Sequence, residues 1–568
     1  MHGRPHAVTT SIQIPLFPQT PPAPPTEKAG VVYTRRWIVE FMLDLAGYIT
    51  SENLVDRRAV EPAAGEGAFL VPMAERLIDA CRRMNRELTD CAKSLIAFEL
   101  DSVSAARARD ALTRALEARA VPRAQALALA RGWVRVGDYL AEAPRLAAVD
   151  LIIGNPPYIR LEDLDDDALA SYRGTYSAMR GRADIYVGFF EAALRQLAES
   201  GACVFICADR WMSNQYGAGL RGLITARFAV EAVVELHDAD PFEEEVSAYP
   251  AVTLLRRGVQ GNVAVARMEK GAQTHHPASV ASLLAATQRG DSVEPLAGVT
   301  AARLQEWFSG EDPWPCTSPA RIALLKRLEA EFGPLEDDAT GTRVSIGVAS
   351  GCDKVFITRD RDLVERSRLL PLAMVADTRD GTLAWSGHYL VNPWQESGLV
   401  DLSRFPRLQG YFERNATALR RRNIAQRRPE VWFRTIDRVH LGLTKRPKLY
   451  FPDIRDAIHP VLDRGETYPH HNLYFVVSDA WDLEVLGGLM LSAVGQFFVE
   501  VYGVRMRGGW LRFQAQYLRR IRVPRPETIT PAQADALRAA FRARDAHAAT
   551  TAACEVYRIP RSFFGENG

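Results

Sequence analysis

The sequence predicts an α/β fold: a Rossmann-like wound sheet that ends in an antiparallel hairpin, joined to a second, mixed α+β half. Three observations predict it. Between residues 29 and 257 short β-type runs alternate with helical ones, the pattern of parallel strands joined by crossover helices. Four of the apolar runs end in glycine-rich or polar residues, and wound sheets bind ligands outside the carboxyl ends of their strands. After residue 258 the alternation stops and an irregular stretch with Trp, Pro and Arg begins.

Strands are expected at 59–62, 94–100, 133–136, 149–153, 202–208 and 230–236. Helices are expected at 37–46, 69–85, 104–119 and 187–199, where apolar residues recur at three- and four-residue spacing. In the last of these Phe189, Phe190, Ala193, Leu194 and Leu197 form one stripe. The run VVELHDADPFEEEVSAYPAVTLLRR reads as strand, loop, strand. It has no room for the dozen or more residues of a parallel crossover, so the two strands should be antiparallel.

At 568 residues the chain exceeds one ordinary domain of roughly 150 residues. The expected division is a Pro-rich lead-in at 1–28, a catalytic domain at 29–258 and a second domain at 259–568. Hydrophobic residues at 47% and charged residues at 24% fit a soluble globular protein. No stretch approaches the roughly 20 apolar residues that span a bilayer, so no membrane role is expected. The amino terminus lacks the apolar core of a secretory signal, and the seven cysteines form no CxxC pair, which argues against a disulfide framework or zinc ribbon. A cytoplasmic, reducing setting is expected.

The first strand end is VEPAAGEGAFL, where Glu61 closes a strand and Gly65 and Gly67 form the turn into a helix. Glycine lets the backbone approach a ligand closely and adopt positive φ. The second is Glu99 in AFELD, placed where a carboxylate can accept both hydroxyls of a ribose. The third is VGDYL, whose Asp138 could accept from an adenine amino group while the ring of Tyr139 packs on the base. The fourth is DLIIGNPPYIR. Two prolines remove two N–H donors and fix φ, so the segment cannot extend the sheet. Asn155 and the Pro156 carbonyl can then accept the two hydrogens of a planar primary amine, with Tyr158 stacked on its ring. Taken singly, each is also accounted for by an ordinary turn or a solvated charge; four in this order are not.

With these motifs the sequence resembles the gamma-class amino-methyltransferases of bacterial restriction-modification systems, Taq-type DNA adenine-N6 methyltransferases in particular, over residues 32–524. The resemblance implies a Rossmann-like S-adenosylmethionine-dependent sheet and a carboxyl-terminal target-recognition domain. VVYTRRWIVEFM resembles the family's first motif, in which Thr34 would contact the methionine portion of S-adenosylmethionine. Glu61, Ala63, Gly65 and Gly67 match the cofactor loop, Glu99 the ribose carboxylate, and Asp138 with Tyr139 the adenine-contacting pair. Asn155, Pro156, Pro157 and Tyr158 match the catalytic motif. ADIYVGFFEAAL resembles the helical motif that follows, and PFEEEVSA the loop whose aromatic, Phe242, would support a flipped base beside Tyr158. The family often has Cys or Gly where Ala64 and Glu66 stand, and the acidic Glu243, Glu244 and Glu245 are unexpected in a loop facing DNA.

The reaction the resemblance implies needs no covalent intermediate and no catalytic cysteine. Pro315-Cys316 follows no recognisable strand and reads as a loop. The target atom lies inside the duplex, so the base must be flipped at a cost of a few kcal/mol, offset in part by aromatic stacking.

Net charge is only +1, but residues 401–450 hold thirteen Lys or Arg against four Asp or Glu. Such an excess is the footprint of phosphate contacts, and Arg421, Arg422, Arg427, Arg428, Lys445, Arg446 and Lys448 are the expected DNA-binding residues. KRPKLYFPDI and HHNLYFVV resemble strands of the family's recognition domain, and GVRMRGGWLRFQAQYLRRIRVPRP its closing segment. The adjacent His470 and His471 have no supporting ligand pattern in the sequence, and no metal is expected. The expected partner is double-stranded DNA, acted on by a monomer, with any restriction endonuclease a separate protein. Ribosomal RNA and protein glutamine methyltransferases also use NPPY-type chemistry, but are generally compact, whereas this chain carries some 300 residues more.

Overall fold

The computed structural model of the protein describes residues 32–181, 183–244, 249–305, 307–314, 317–503 and 510–565. The lead-in expected at 1–28, Glu245, Val246 and Pro315-Cys316 lie outside them.

Nine strands form the main sheet: β1 Ala59–Glu61, β2 Leu95–Glu99, β3 Val134–Val136, β4 Val149–Gly154, β5 Leu197–Ala208, β6 Phe228–Asp238, β7 Pro250–Arg257, β8 Val263–Glu269 and β9 Val299–Leu304. Their order is β3-β2-β1-β4-β5-β7-β6-β8-β9. β1 to β5 run parallel, and β7 lies antiparallel between β5 and β6. The chain order reverses at β1 and β4, so the ends of these two strands frame the crevice where a ligand can enter.

Side-chain alternation builds two cores. Leu151 and Ile153 of β4 and Val204 and Ile206 of β5 face the layer of helices Arg36–Leu45, Leu70–Arg83 and Ser102–Ala118. Ile152, Cys203 and Phe205 face helix Tyr186–Gln196 on the other side. Both faces are covered, which is why these strands read as unbroken apolar runs. Phe205 is fully buried against Phe190, 5.0 Å between ring centroids, and its replacement by Ala should cost about 3–5 kcal/mol.

Three expectations are corrected. The hairpin is not the end of the sheet, because β8 pairs parallel with β6 and β9 antiparallel with β8. The boundary expected after residue 258 therefore falls inside the sheet, whose last strand ends at Leu304; β8 and β9 are separated by helix Pro277–Arg289, which packs on the first core. Residues 197–199, read as helix, begin β5: Leu197 pairs with Val149, and the register then shifts so that Ala202 pairs with Leu151.

Among the described residues the second half holds two four-stranded sheets and three two-stranded ones. Lys448–Pro452 and Leu473–Val477, the KRPKLYFPDI and HHNLYFVV stretches, pair antiparallel with Leu449 opposite Val476. Helices Leu483–Leu491 and Ala493–Tyr502 pack with Pro531–Ala543 and Ala546–Tyr557 into a separate core. Among the described residues no single helix is long and apolar enough to cross a membrane; the two apolar helices at 483–502 are bent by 65° and buried.

Candidate active site

The turn after β1 is shaped by backbone conformation. Gly65 and Gly67 have φ of 54° and 99°, which L side chains rarely adopt. Gly154 at the end of β4 leaves room for the neighbouring strand end: a Cβ there would sit 3.4 Å from Pro62. The Gly65 N–H donates to Glu99 Oε2 (2.8 Å) and the Asp101 N–H to Oε1 (2.8 Å), so the Glu99 carboxylate is aimed by the turn itself. An ionised carboxylate has about four acceptor sites, and two stay open for hydroxyl donors. Asp138 caps the helical turn Tyr139–Glu142 through Leu140 N–H (2.9 Å) and accepts from the Tyr172 hydroxyl (2.9 Å).

Glu61 lies under this turn, fully buried, with Oε2 unpartnered. Burial, with the nearby Glu99 charge, pushes its carboxyl well above the ordinary range. A cationic ammonium brought to this position would favour the ionised form, so the residues present fit an amino-acid cofactor whose ribose meets Glu99.

The end of β4 is walled by segments far apart in sequence. Thr34 and Phe242 form a β-bridge; the Arg35 N–H donates to the Pro241 carbonyl (2.9 Å), the Glu243 N–H to the Tyr33 carbonyl (2.9 Å), and Arg35 Nε to the Phe242 carbonyl (2.7 Å). Asn155 Nδ2 donates to the Val32 carbonyl (3.0 Å) and to Thr34 Oγ1 (3.2 Å). The Val32 carbonyl can only accept, so it fixes the orientation of the amide. Asn155 Oδ1 is thereby left buried and unpartnered, and no described residue donates to the Pro156 carbonyl. The ring of Tyr158 stands edge-on to Phe242, 6.4 Å between centroids at 83°, and to Tyr186 at 6.2 Å. Its buried hydroxyl has no partner, and burial raises the phenol well above its usual range. Thr34, Asn155, Pro156, Tyr158 and Phe242 are thus one cluster, with Pro157 between the last two motif residues and Ala63 half-buried at the adjoining turn.

At the edge of the cluster the strand ends of β5 and β6 hold a group that the sequence reading missed. His237 Nε2 lies 2.8 Å from Asp209 and Nδ1 2.7 Å from Glu235, with Tyr249 packed on the ring at 4.8 Å. Burial disfavours its charge, but the two carboxylates outweigh it and raise the pKa to about 9. His237 and Phe242 line a cleft of about 610 Å³, with Asp238, Asp240 and Glu244. No motif carries His237; only the pairing of β6 with β7 brings it beside Asp209 and Tyr249. Leu100, directly after Glu99, is 73% exposed, and a bare apolar side chain at that strand end suits a base face.

Three site expectations are corrected. Tyr139 is buried, with its ring between Phe98 (5.5 Å) and Phe189 (5.8 Å) and its hydroxyl donating to Gln196 (2.8 Å), so this ring does not pack on a ligand. Lys448 is wholly buried: Nζ donates to Asp463 Oδ2 (2.9 Å) and the Thr467 carbonyl (3.0 Å). Arg422 braces the interior, donating to the carbonyls of Ser350 (3.0 Å), Trp432 (2.7 Å) and Leu419 (3.0 Å). Of the other basic residues, Arg446 pairs with Asp479 and Arg428 with Glu430, whereas Arg421, Arg427 and Lys445 are exposed.

A glycine-rich turn, a carboxylate held by it at the neighbouring strand end and an NPPY strand end around the switch point of a wound sheet define a methyltransferase of the S-adenosylmethionine-dependent class. A family model of Eco57I restriction-modification methylases matches residues 147–242. The chain is 41% identical to Type II methyltransferase M.PaeR7I of Pseudomonas aeruginosa, over 95% of this chain and 94% of that one. It is 39% identical to M.XhoI of Xanthomonas vasicola over 94% and 98%, and 36% identical to M.BstVI of Geobacillus stearothermophilus over 89% and 92%. A solved structure of the Type IIL restriction-modification enzyme MmeI in complex with DNA shares the fold, with a TM-score of 0.56 at 12% identity over 92% of this chain and 74% of that one. The chain belongs to the Type II methyltransferases of restriction-modification systems: it is a DNA methyltransferase, and S-adenosylmethionine is its methyl donor.

Proposed function

We propose that the protein methylates the N6 amino group of an adenine flipped out of double-stranded DNA, as a gamma-class, Taq-type enzyme. The observation that carries this reading is the Asn155 amide, whose donor side is consumed by Val32 and Thr34 while its buried Oδ1 has no partner. A buried unpaired acceptor is costly, and an exocyclic amine that fills it is held by the same bond.

S-adenosylmethionine, when bound, supplies an electrophilic sulfonium methyl. Asn155 Oδ1 and the Pro156 carbonyl accept the two N–H groups of the target amine. Both bonds favour a pyramidal nitrogen whose lone pair leaves the ring π-system, a contribution of positioning and electrostatics. Tyr158 stacks on the base and Phe242 supports it, offsetting part of the flipping cost. On the cofactor side Glu99 accepts from the ribose, Leu100 covers the adenine ring, Asp138 accepts from its amino group, and Thr34 and Glu61 hold the methionine end. Thr34 contacts both this end and Asn155, so it couples cofactor to target.

The half after Pro319 reads the sequence, with Arg421, Arg427, Arg428, Lys445 and Arg446 on phosphates; the exposure of the first four supports this. The protein acts as a monomer, and the paired endonuclease is a separate chain.

Wild type and Asn155→Ala, expressed in a methylation-free bacterial host, test the reading by single-molecule sequencing of the genome. N6-methyladenine at one short recurrent site, absent with the variant, is the expected result. N4-methylcytosine at such a site would overturn the adenine assignment, and equal modification by the variant would overturn the role of Asn155.

A further inference from the structure

The sequence places His470 and His471 side by side with no third ligand in reach; the fold supplies one. Asp353, more than a hundred residues earlier, approaches so that Oδ2 lies 3.2 Å from His470 Nε2, and ligand atoms of all three side chains lie within 4.8 Å of one another. We propose that Asp353, His470 and His471 form a binding site for a divalent transition metal of the zinc class, in the second half of the molecule and independent of the methyl-transfer site.

The backbone holds these ligands in place before any ion arrives. Val348 pairs with His470 as a parallel bridge, its N–H donating to the Pro469 carbonyl (2.9 Å), and the Gly347 N–H donates to the Leu473 carbonyl (2.9 Å). Gly347 is required for this approach: a Cβ there would lie 2.2 Å from the His470 carbonyl oxygen. The His470 N–H donates to the Ala373 carbonyl (3.1 Å), tying in a third segment. Ser350 Oγ donates to Asp353 Oδ1 (2.5 Å), the kind of outer bond that orients a ligating carboxylate.

His471 Nδ1 is shielded from solvent and has no hydrogen-bond partner. The two imidazole rings stand 4.1 Å apart. Two imidazoles and one carboxylate suit zinc and its neighbours, whereas calcium and magnesium take oxygen ligands throughout. Three protein ligands leave a tetrahedral ion one position for water, and the half-exposed Asp353 gives the ion a way in. Bound metal would pin the 347–353 turn to the end of the short strand Tyr468–Pro469.

The test uses the full chain, stripped with a chelator and titrated with Co²⁺ alone, then challenged with Zn²⁺. The expected result is one equivalent of Co²⁺ with visible d–d absorption that Zn²⁺ abolishes, and affinity at least about tenfold weaker in both Asp353→Asn and His471→Gln, a range typical of lost metal-site groups. Retention of wild-type affinity by either variant would place the ion elsewhere, for example at His275 and His276, and overturn the proposal; so would absence of binding to the wild type. Undiminished S-adenosylmethionine binding checks that the variants are folded. If one is not, the Zn²⁺-induced rise in Tm of the wild type decides, since a wild type with no rise also overturns the site.

Discussion

The strand ends around Asn155 and the basic belt at 401–450 treat polar groups in opposite ways. At the strand ends, buried polar atoms are left open: Asn155 Oδ1, Tyr158 Oη and Glu61 Oε2 have no partner. In the belt the buried charges are saturated. The Asp463 carboxylate accepts from Lys448, Tyr450 and the Thr467 N–H and hydroxyl on Oδ2, and from the Gly465 and Glu466 N–H groups on Oδ1. Despite its burial, these partners hold the carboxyl below its ordinary value. Unpaired buried polar groups are expensive and rare, so a cluster of them points to a ligand, whereas a saturated charge points to structure.

Substitutions in the two regions should therefore separate activity from stability. The largest expected effect is that of Asn155→Ala, which should lower methyl transfer by about 10³-fold or more in a labelled-methyl assay while calorimetry shows S-adenosylmethionine binding unchanged. Full activity would erase the contrast. Next is Lys448→Met, which strands the Asp463 charge and should cost roughly 3–5 kcal/mol in urea unfolding, with the salt dependence of DNA binding unaltered. Tyr158→Ala should weaken capture of the flipped base by about 1–3 kcal/mol, read as a smaller 2-aminopurine fluorescence rise at the target position.

Smaller effects sharpen the comparison. Arg421→Ala and Arg427→Ala should each reduce the salt slope of DNA binding by about 1 while changing stability by less than about 0.5 kcal/mol. His237 yields a pH signature at the border of the active cluster. Its pKa is raised from 6.5 to about 9 by Asp209 and Glu235 against the opposing effect of burial, so its contribution to stability is complete below pH 6.5 and is lost as pH rises through 9. Urea unfolding across that window should show wild type losing stability that His237→Gln never had.

Legibility in the sequence followed the range of the interactions. β1 to β4 were readable because each is a short apolar run closed by a polar message, and NPPY is local chemistry that no pairing partner can change. β8 and β9 were not, because a sheet that alternates parallel and antiparallel strands has no fixed spacing between them. Lys448 and Arg422 were misread for a related reason: composition counts charges, but burial depends on which strand or turn packs over them. The Tyr139 ring was misplaced because the residue after a helix cap can face either the cleft or the core, and Phe98 and Phe189 decide for the core.

The wound sheet, the order of its polar strand ends and the chemistry available at each were set by the sequence alone, because these depend on residues within a few positions of one another. It took the tertiary structure to pair Thr34 with Phe242, to turn the Asn155 amide oxygen free, to bring Asp353 to His470, and to make four of the seven expected basic contacts braces or ion pairs. Those outcomes depend on hydrogen bonds between segments up to about two hundred residues apart, and burial, which no local pattern encodes, sets whether a polar group is satisfied or left waiting for a ligand.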